Sequence, residues 1–332
     1  MRSRRWARPL LALAIVTALA GATAMVFLGG GAGGGPRRDG AFTSSADATG
    51  CPQGGSLDEA RRAAVCTGVD LAPAQRGFVP QGLVVADGVA FVSGYREGEL
   101  GHRFCQLLVA DTATGETSAF RRRVTGSVGG PGGERIVCRH GGGLALGPEG
   151  LWLAETGRLW LLDPAALARG ADPVRRVWRL DRPVRGSALA RRPGRLAVVG
   201  WAAHRRSWVH WVRVRDLLAD GVTRVGPGGG PGAVVPAAAR RVPSRVQGAA
   251  WRPGGLLLAR STTFCGELVS RRLGTRGFFP GAEGITFSGG RLWLVSEAGA
   301  GVYQRQGGRP DLPTLMSVRP GDLPGSDGCG WS

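Results

Sequence analysis

After residue 80 one phrase returns five times: a glycine, an apolar alternation, a Gly-containing turn and a second apolar alternation. It reads Gln81-Gly82-Leu83-Val84-Val85, turning through Asp87-Gly88 into Val89-Ala90-Phe91-Val92. The later copies begin at Gly143, Gly186, Gly248 and Gly284 and turn at Pro148-Glu149-Gly150, Pro193-Gly194, Pro253-Gly254 and Gly289-Gly290. Each copy has the period of two and the turn residues of a β-hairpin, and hairpins that repeat every few dozen residues mark radial repetition. Further extended segments follow the hairpins, at Gln106–Asp111 with Thr117–Phe120, Arg158–Asp163, Trp208–Arg215, Glu267–Arg271 and Thr314–Val318. Three or four strands per repeat is what a propeller blade requires. The expected fold is therefore all-β, a β-propeller of five blades, or six if Val65–Phe78 combines with C-terminal strands into another sheet. The repeat glycines are 61, 43, 62 and 36 residues apart, and the two long intervals contain the Gly/Pro-rich stretches Gly126–Gly133 and Gly226–Pro236, read as loops.

A formal charge of +19 invites a nucleic-acid reading, since clustered cations attract phosphate. The composition argues against it. The chain has no Lys and no Asn, and its Gly, Ala, Pro and Arg excess matches avoidance of AT-rich codons, so the charge reflects genome composition more than a nucleic-acid partner.

The first 28 residues carry a basic flank, Arg2, Arg4, Arg5 and Arg8, followed by an uncharged apolar run from Leu10 to Leu28. That pattern is an export signal or membrane anchor in the form of an N-terminal hydrophobic helix, and it leaves the remainder outside the cytoplasm. Both a cleaved signal and a retained anchor fit, the latter attaching the protein to the membrane. Residues 29–50, rich in Gly, Ala and Ser, read as a flexible linker, and 51–332 as a single propeller domain. Six cysteines in an exported chain imply disulfides, and proximity suggests Cys51 with Cys66 and Cys105 with Cys138, leaving Cys265 with Cys329. His102 and His140 beside Cys105 and Cys138 have the ligand types of a zinc site, but the spacing is not that of a finger, and a disulfide clamping the first insertion is the favoured reading.

The candidate site follows from position. Gln81, Arg185, Gln247 and Glu283 each precede a repeat glycine, and His140 lies near the second one. In a propeller such positions face the mouth of the central channel, where groups from different blades meet. Arg185 is a candidate bidentate clamp on a carboxylate, which suits a polar or anionic small ligand. Other patterns are weaker. His140-Gly141-Gly142-Gly143 has the form of an esterase oxyanion loop, yet no Gly-x-Ser-x-Gly elbow accompanies it. Trp201, Trp208 and Trp211 among Arg205, Arg206, Arg213 and Arg215 could stack on an anionic polymer, but large aromatics commonly pack between twisted sheets.

Gly150–Pro164, with its Gly-Leu-Trp-Leu-Ala-Glu-Thr-Gly-Arg-Leu-Trp-Leu-Leu-Asp-Pro, and Ala282-Glu283-Gly284-Ile285-Thr286-Phe287 resemble the propeller superfamily of gluconolactonase and strictosidine-synthase-like proteins. The whole also resembles an actinobacterial exported propeller. For the lactonase branch the resemblance implies a divalent cation held by Glu283 with Asn and Asp ligands, making the chain a hydrolase. The absence of Asn removes part of that ligand set, so no metal, cofactor or catalytic residue is assigned. Asp111 and Asp163 are expected to cap outer turns instead. The favoured function is a ligand- or partner-binding propeller; the alternatives are a metal-dependent lactonase or esterase and a scaffold that contacts a cell-envelope partner.

Overall fold

The computed structural model describes residues 64–98, 103–308 and 313–331. The chain divides into two compact units, Met1–Ala41 and Phe42–Ser332, and the described residues all belong to the second. The apolar run Leu10–Leu28, the 29–50 linker and Cys51 lie outside the described residues, among which no helix is long and apolar enough to cross a membrane.

The fold is an all-β propeller. The first sheet contains strands Phe78–Ala86, Val89–Arg96, Cys105–Asp111 and Thr117–Arg121 in sequence order. The second opens with Leu144–Gly147, Gly150–Glu155, Arg158–Leu162 and Val174–Leu180. The third contains Ala188–Arg192, Arg195–Val199, Ser207–Arg213 and Ala238–Val242, and the fourth Val246–Arg252, Gly255–Ser261, Gly266–Ser270 and Gly274–Phe278. The last contains Ala282–Ser288, Arg291–Ser296 and Leu315–Val318, and its outer strand is the early segment Val65–Val69, antiparallel to Leu315–Val318. Val65–Val69 therefore completes this sheet and starts no additional one, closing the ring with chain from both ends of the domain.

Hydrophobic burial holds the ring together, because each core lies between two neighbouring sheets. Val84 packs with Leu107, Leu151 and Trp160 between the first and second sheets, whereas Leu83 and Val85 face Val295 and Leu315 of the last sheet. Successive side chains of a strand point to opposite faces, so a strand buried on both faces must be apolar at nearly every position. Three further cores join the second sheet to the third, the third to the fourth and the fourth to the last. Trp152, Trp160 and Trp178 are fully buried, each contributing on the order of 2–3 kcal/mol by removal of apolar area from water. Trp152 also donates its indole N–H to Glu149 Oε1 at 2.6 Å, and Glu149 receives Arg191 Nε and Nη2 at 2.8 and 3.0 Å, a two-pronged link from the second sheet to the third.

Glycines permit the inner strands to approach. A Cβ on Gly284 would overlap the backbone of Gly82 and Leu83, and one on Gly248 the carbonyl of Glu283. Gly143 abuts Ala188 and Leu189 in the same way, so the third copy has Ala188 at the repeat position and Gly186 two residues earlier, against Glu155. The sequence phrase that starts at Gly186 is thus out of register with the others by two residues.

Both stretches read as loops contain strands. Thr125–Ser127 and Arg135–Val137 form a two-stranded hairpin around the first. Arg224–Val225, just before the second, and Ala233–Val234, within it, add two parallel strands to the second sheet, covering its outer edge. Asp111 and Asp163 do cap turns: Asp111 Oδ1 accepts from the N–H of Ala113 and Thr114, and Asp163 Oδ1 from Ala166 at the start of helix Pro164–Ala168. Cys105 bonds to Cys138, and Cys265 to Cys329. Cys66 is disulfide-bonded as well.

Candidate functional site

An antiparallel hairpin returns to where it started, so the beginning of each first strand and the end of each second strand lie at the same end of the ring. Polar residues collect there. Gln81, His140, Arg185, Gln247 and Glu283 all line one cavity of about 850 Å3. Gln81, Gln247 and Glu283 stand on first strands; His140 and Arg185 sit in the segments leading into the second and third sheets. Arg185 is exposed, a consequence of the two-residue register difference, while Glu283 is 3% and Gln81 6% exposed.

The floor of the cavity is a carboxyl pair. Glu283 is hydrogen-bonded side chain to side chain with Glu297, which is 6% exposed and follows the second strand of the last sheet. Gln81 Nε2 donates to Glu297 Oε2 at 2.8 Å and to its neighbour's carbonyl, Pro80 O, at 3.0 Å. Glu283 Oε1 is buried and has no partner. Burial, then the proximity of Glu297, raises the Glu283 carboxyl well above the usual range; burial raises Glu297 as well. Two like charges in contact cannot both ionise readily, so the pair holds one proton between them.

The wall beside the floor is aromatic and cationic. Tyr303, on the short helix Gly301–Gln304, has its hydroxyl 3.1 Å from that of Tyr95, and burial raises both phenols, Tyr95 to about 12. The Tyr95 ring stacks on His140 at 4.7 Å, with the Arg103 guanidinium 4.7 Å over its centroid. Arg103 Nη1 lies 3.5 Å from His140 Nε2, and burial together with that cation pushes the imidazole down to about 4. The ring is neutral at pH 7, with Nε2 the acceptor. His140 holds φ 70, a left-handed conformation, between Cys138 and Gly141, whose N–H donates to Cys105 Sγ at 3.0 Å. The disulfide therefore fixes the segment that delivers His140.

Arginines and an aromatic occupy the rim. Trp201 is 50% exposed, and His204, Arg205 and Arg185 are exposed beside it. The side chains of Arg185 and Arg205 have no ion pair or hydrogen bond among the described residues. Trp201 departs from the expectation that the tryptophans pack between sheets, which does hold for Trp211, set edge-on against Trp251 at 5.5 Å. Sequence reasoning found one residue per hairpin and missed Glu297 and Glu155. Both line the cavity, and both end or follow a second strand, where the chain returns to the end of the ring at which the first strand began.

Cys105, Cys138 and Glu155 form a group of metal-ligand types among the described residues. Their sulfurs are joined in a disulfide and Glu155 is paired with Arg158 at 2.6 Å, so the group is structural.

The fold and site define a propeller with a polar cavity at one end of its ring. No protein-family model matches the chain, and no curated protein does. Solved structures similar to it include a PQQ-bound aldose sugar dehydrogenase from Streptomyces coelicolor, at 16% identity, TM-score 0.39 and coverage of 77% of this chain and 97% of that one. A GH43_1 enzyme from Xanthomonas citri matches at 12% identity and TM-score 0.43, covering 83% and 98%, and a nidogen/laminin complex at 12% and 0.37, covering 66% and 73%. Similarity at this level carries no argument about activity.

Proposed function

We propose that the chain is an extracytoplasmic propeller of five blades, the six-stranded sheet being a blade with two added strands, which binds a small polar ligand bearing an anionic group at its channel mouth. The observation that carries this reading is the convergence of Gln81, His140, Arg185, Gln247 and Glu283, remote in sequence, on one cavity. The innermost strands of the five sheets touch in a closed cycle, which supports the blade count, and the disulfides suit an oxidising compartment. Arg185 and Arg205 have forked donors suited to a carboxylate or phosphate. A metal-dependent hydrolase is less well supported: a hard cation takes six to eight oxygens, whereas the acidic floor has two carboxylates. The test is calorimetric titration of the purified domain with small carboxylates and phosphates. Arg185→Ala should abolish binding with an unchanged melting temperature; equal binding by the variant would refute the assignment.

A further inference from the structure

The cavity is acidic at its floor and cationic at its wall and rim. Glu283 and Glu297 are buried at the floor, hydrogen-bonded carboxyl to carboxyl, the Arg103 guanidinium lies in the wall, and the cations Arg185 and Arg205 are exposed at the rim. The floor is also incompletely satisfied. Glu297 receives Gln81, but Glu283 Oε1 has no donor, and an unpaired buried carboxylate oxygen is costly. A ligand with negative charge alone would place that charge against the rim and leave Oε1 as it is; brought to the floor, it would be repelled.

We propose that the ligand is a zwitterion, entering amine first, with an ammonium group donating to Glu283 Oε1 at the floor and a carboxylate or phosphate held by Arg185 and Arg205 at the rim. This rests on the reading of the cavity as a small-ligand site and adds the ligand's polarity and direction. The ammonium donors provide the partner that Oε1 lacks, and the positive charge offsets that of the shared-proton pair. The half-exposed indole of Trp201 lies beside the rim, where it can cover the apolar part of such a molecule.

A matched set of probes separates the elements of the proposal: 6-aminohexanoate, hexanoate, hexylamine and calcium chloride, each titrated into the intact chain at pH 7 by calorimetry. The proposal expects 6-aminohexanoate to bind at least about tenfold more tightly than hexanoate or hexylamine. The double substitution Glu283→Gln with Glu297→Gln retains the side-chain shapes and removes both carboxyls, so it should erase that preference while leaving hexanoate binding; if the double variant does not fold, Glu297→Gln alone, which removes the member of the pair that ionises more readily, should reduce the preference. Equal binding of hexanoate and 6-aminohexanoate overturns the zwitterion and leaves the anion-binding site standing. Binding of calcium alone overturns it in favour of a cation site, and no binding by any probe overturns both.

Discussion

The amide of Gln81 donates to the carboxylate of Glu297 at 2.8 Å, although 216 positions separate them in sequence. One stands on the first sheet and the other follows the second strand of the last, so this bond spans the point where the ring closes. Closure and the site are one structure: the strand approach that Gly284 and Gly82 permit also brings the carboxyl pair beside Gln81.

The carboxyl pair makes stability depend on pH. A carboxyl whose folded-state pKa is raised favours the fold when protonated, so its contribution is complete below the ordinary value of 4.5 and is lost as pH rises through about 7, where burial places Glu297. His140 acts in the opposite direction, its contribution being lost as pH falls from 6.5 toward about 4. Because His140 is common to both proteins, the stability of the unaltered chain relative to Glu297→Gln should fall between about pH 5 and about pH 8, by on the order of 3 kcal/mol, in paired melting curves. Parallel curves for the two proteins would contradict the shared proton.

Gly284→Ala places a Cβ against the backbone of Gly82 and Leu83, where no side chain can yield. Denaturant unfolding should show a loss of about 3 kcal/mol or more, within the range of overpacking in a filled core. Gly289→Ala, in an open turn with nothing within 4 Å but at φ 57, should cost about 1 kcal/mol.

The propeller was legible because its strands are buried on both faces and its turns carry Gly and Pro, so period and punctuation agree. The third repeat was misplaced because Gly186 preceded an apolar run in the expected manner, while Ala188, small enough for the close approach, had taken the glycine's position. The added strands of the second sheet were hidden within Gly-rich sequence, each only two residues long. At the site, Gln81, Glu283 and Gln247 were found from their place in the repeat. Glu297 was not, because its importance depends on touching Glu283, a pairing set by the bulged register of the last hairpin between Ala282 and Ile285.

Cys105 and Cys138 close a loop with a sequence separation of 33. Replacing both by Ala should lower stability by about 3–4 kcal/mol through the regained freedom of the unfolded chain. It should also loosen His140, so ligand binding measured well below the melting temperature should weaken. Full affinity in the variant would show that the disulfide does not position His140.

Arg191 reaches Glu149 from the neighbouring sheet in a partly buried pair. Arg191→Ala removes the charged partner of Glu149, leaving it the Trp152 indole and a backbone hydrogen bond, and should cost about 1–3 kcal/mol in denaturant unfolding. Ligand affinity should be unaffected, since neither residue lines the cavity at the mouth.

The most direct test is a crystal structure of the intact chain grown with a ligand that calorimetry has shown to bind. The account predicts density in the channel-mouth cavity, with an anionic group within hydrogen-bonding distance of the Arg185 guanidinium and the rest of the molecule extending toward Glu283. A ligand bound elsewhere on the ring, or one in the cavity with no contact to Arg185 or Glu283, would contradict it.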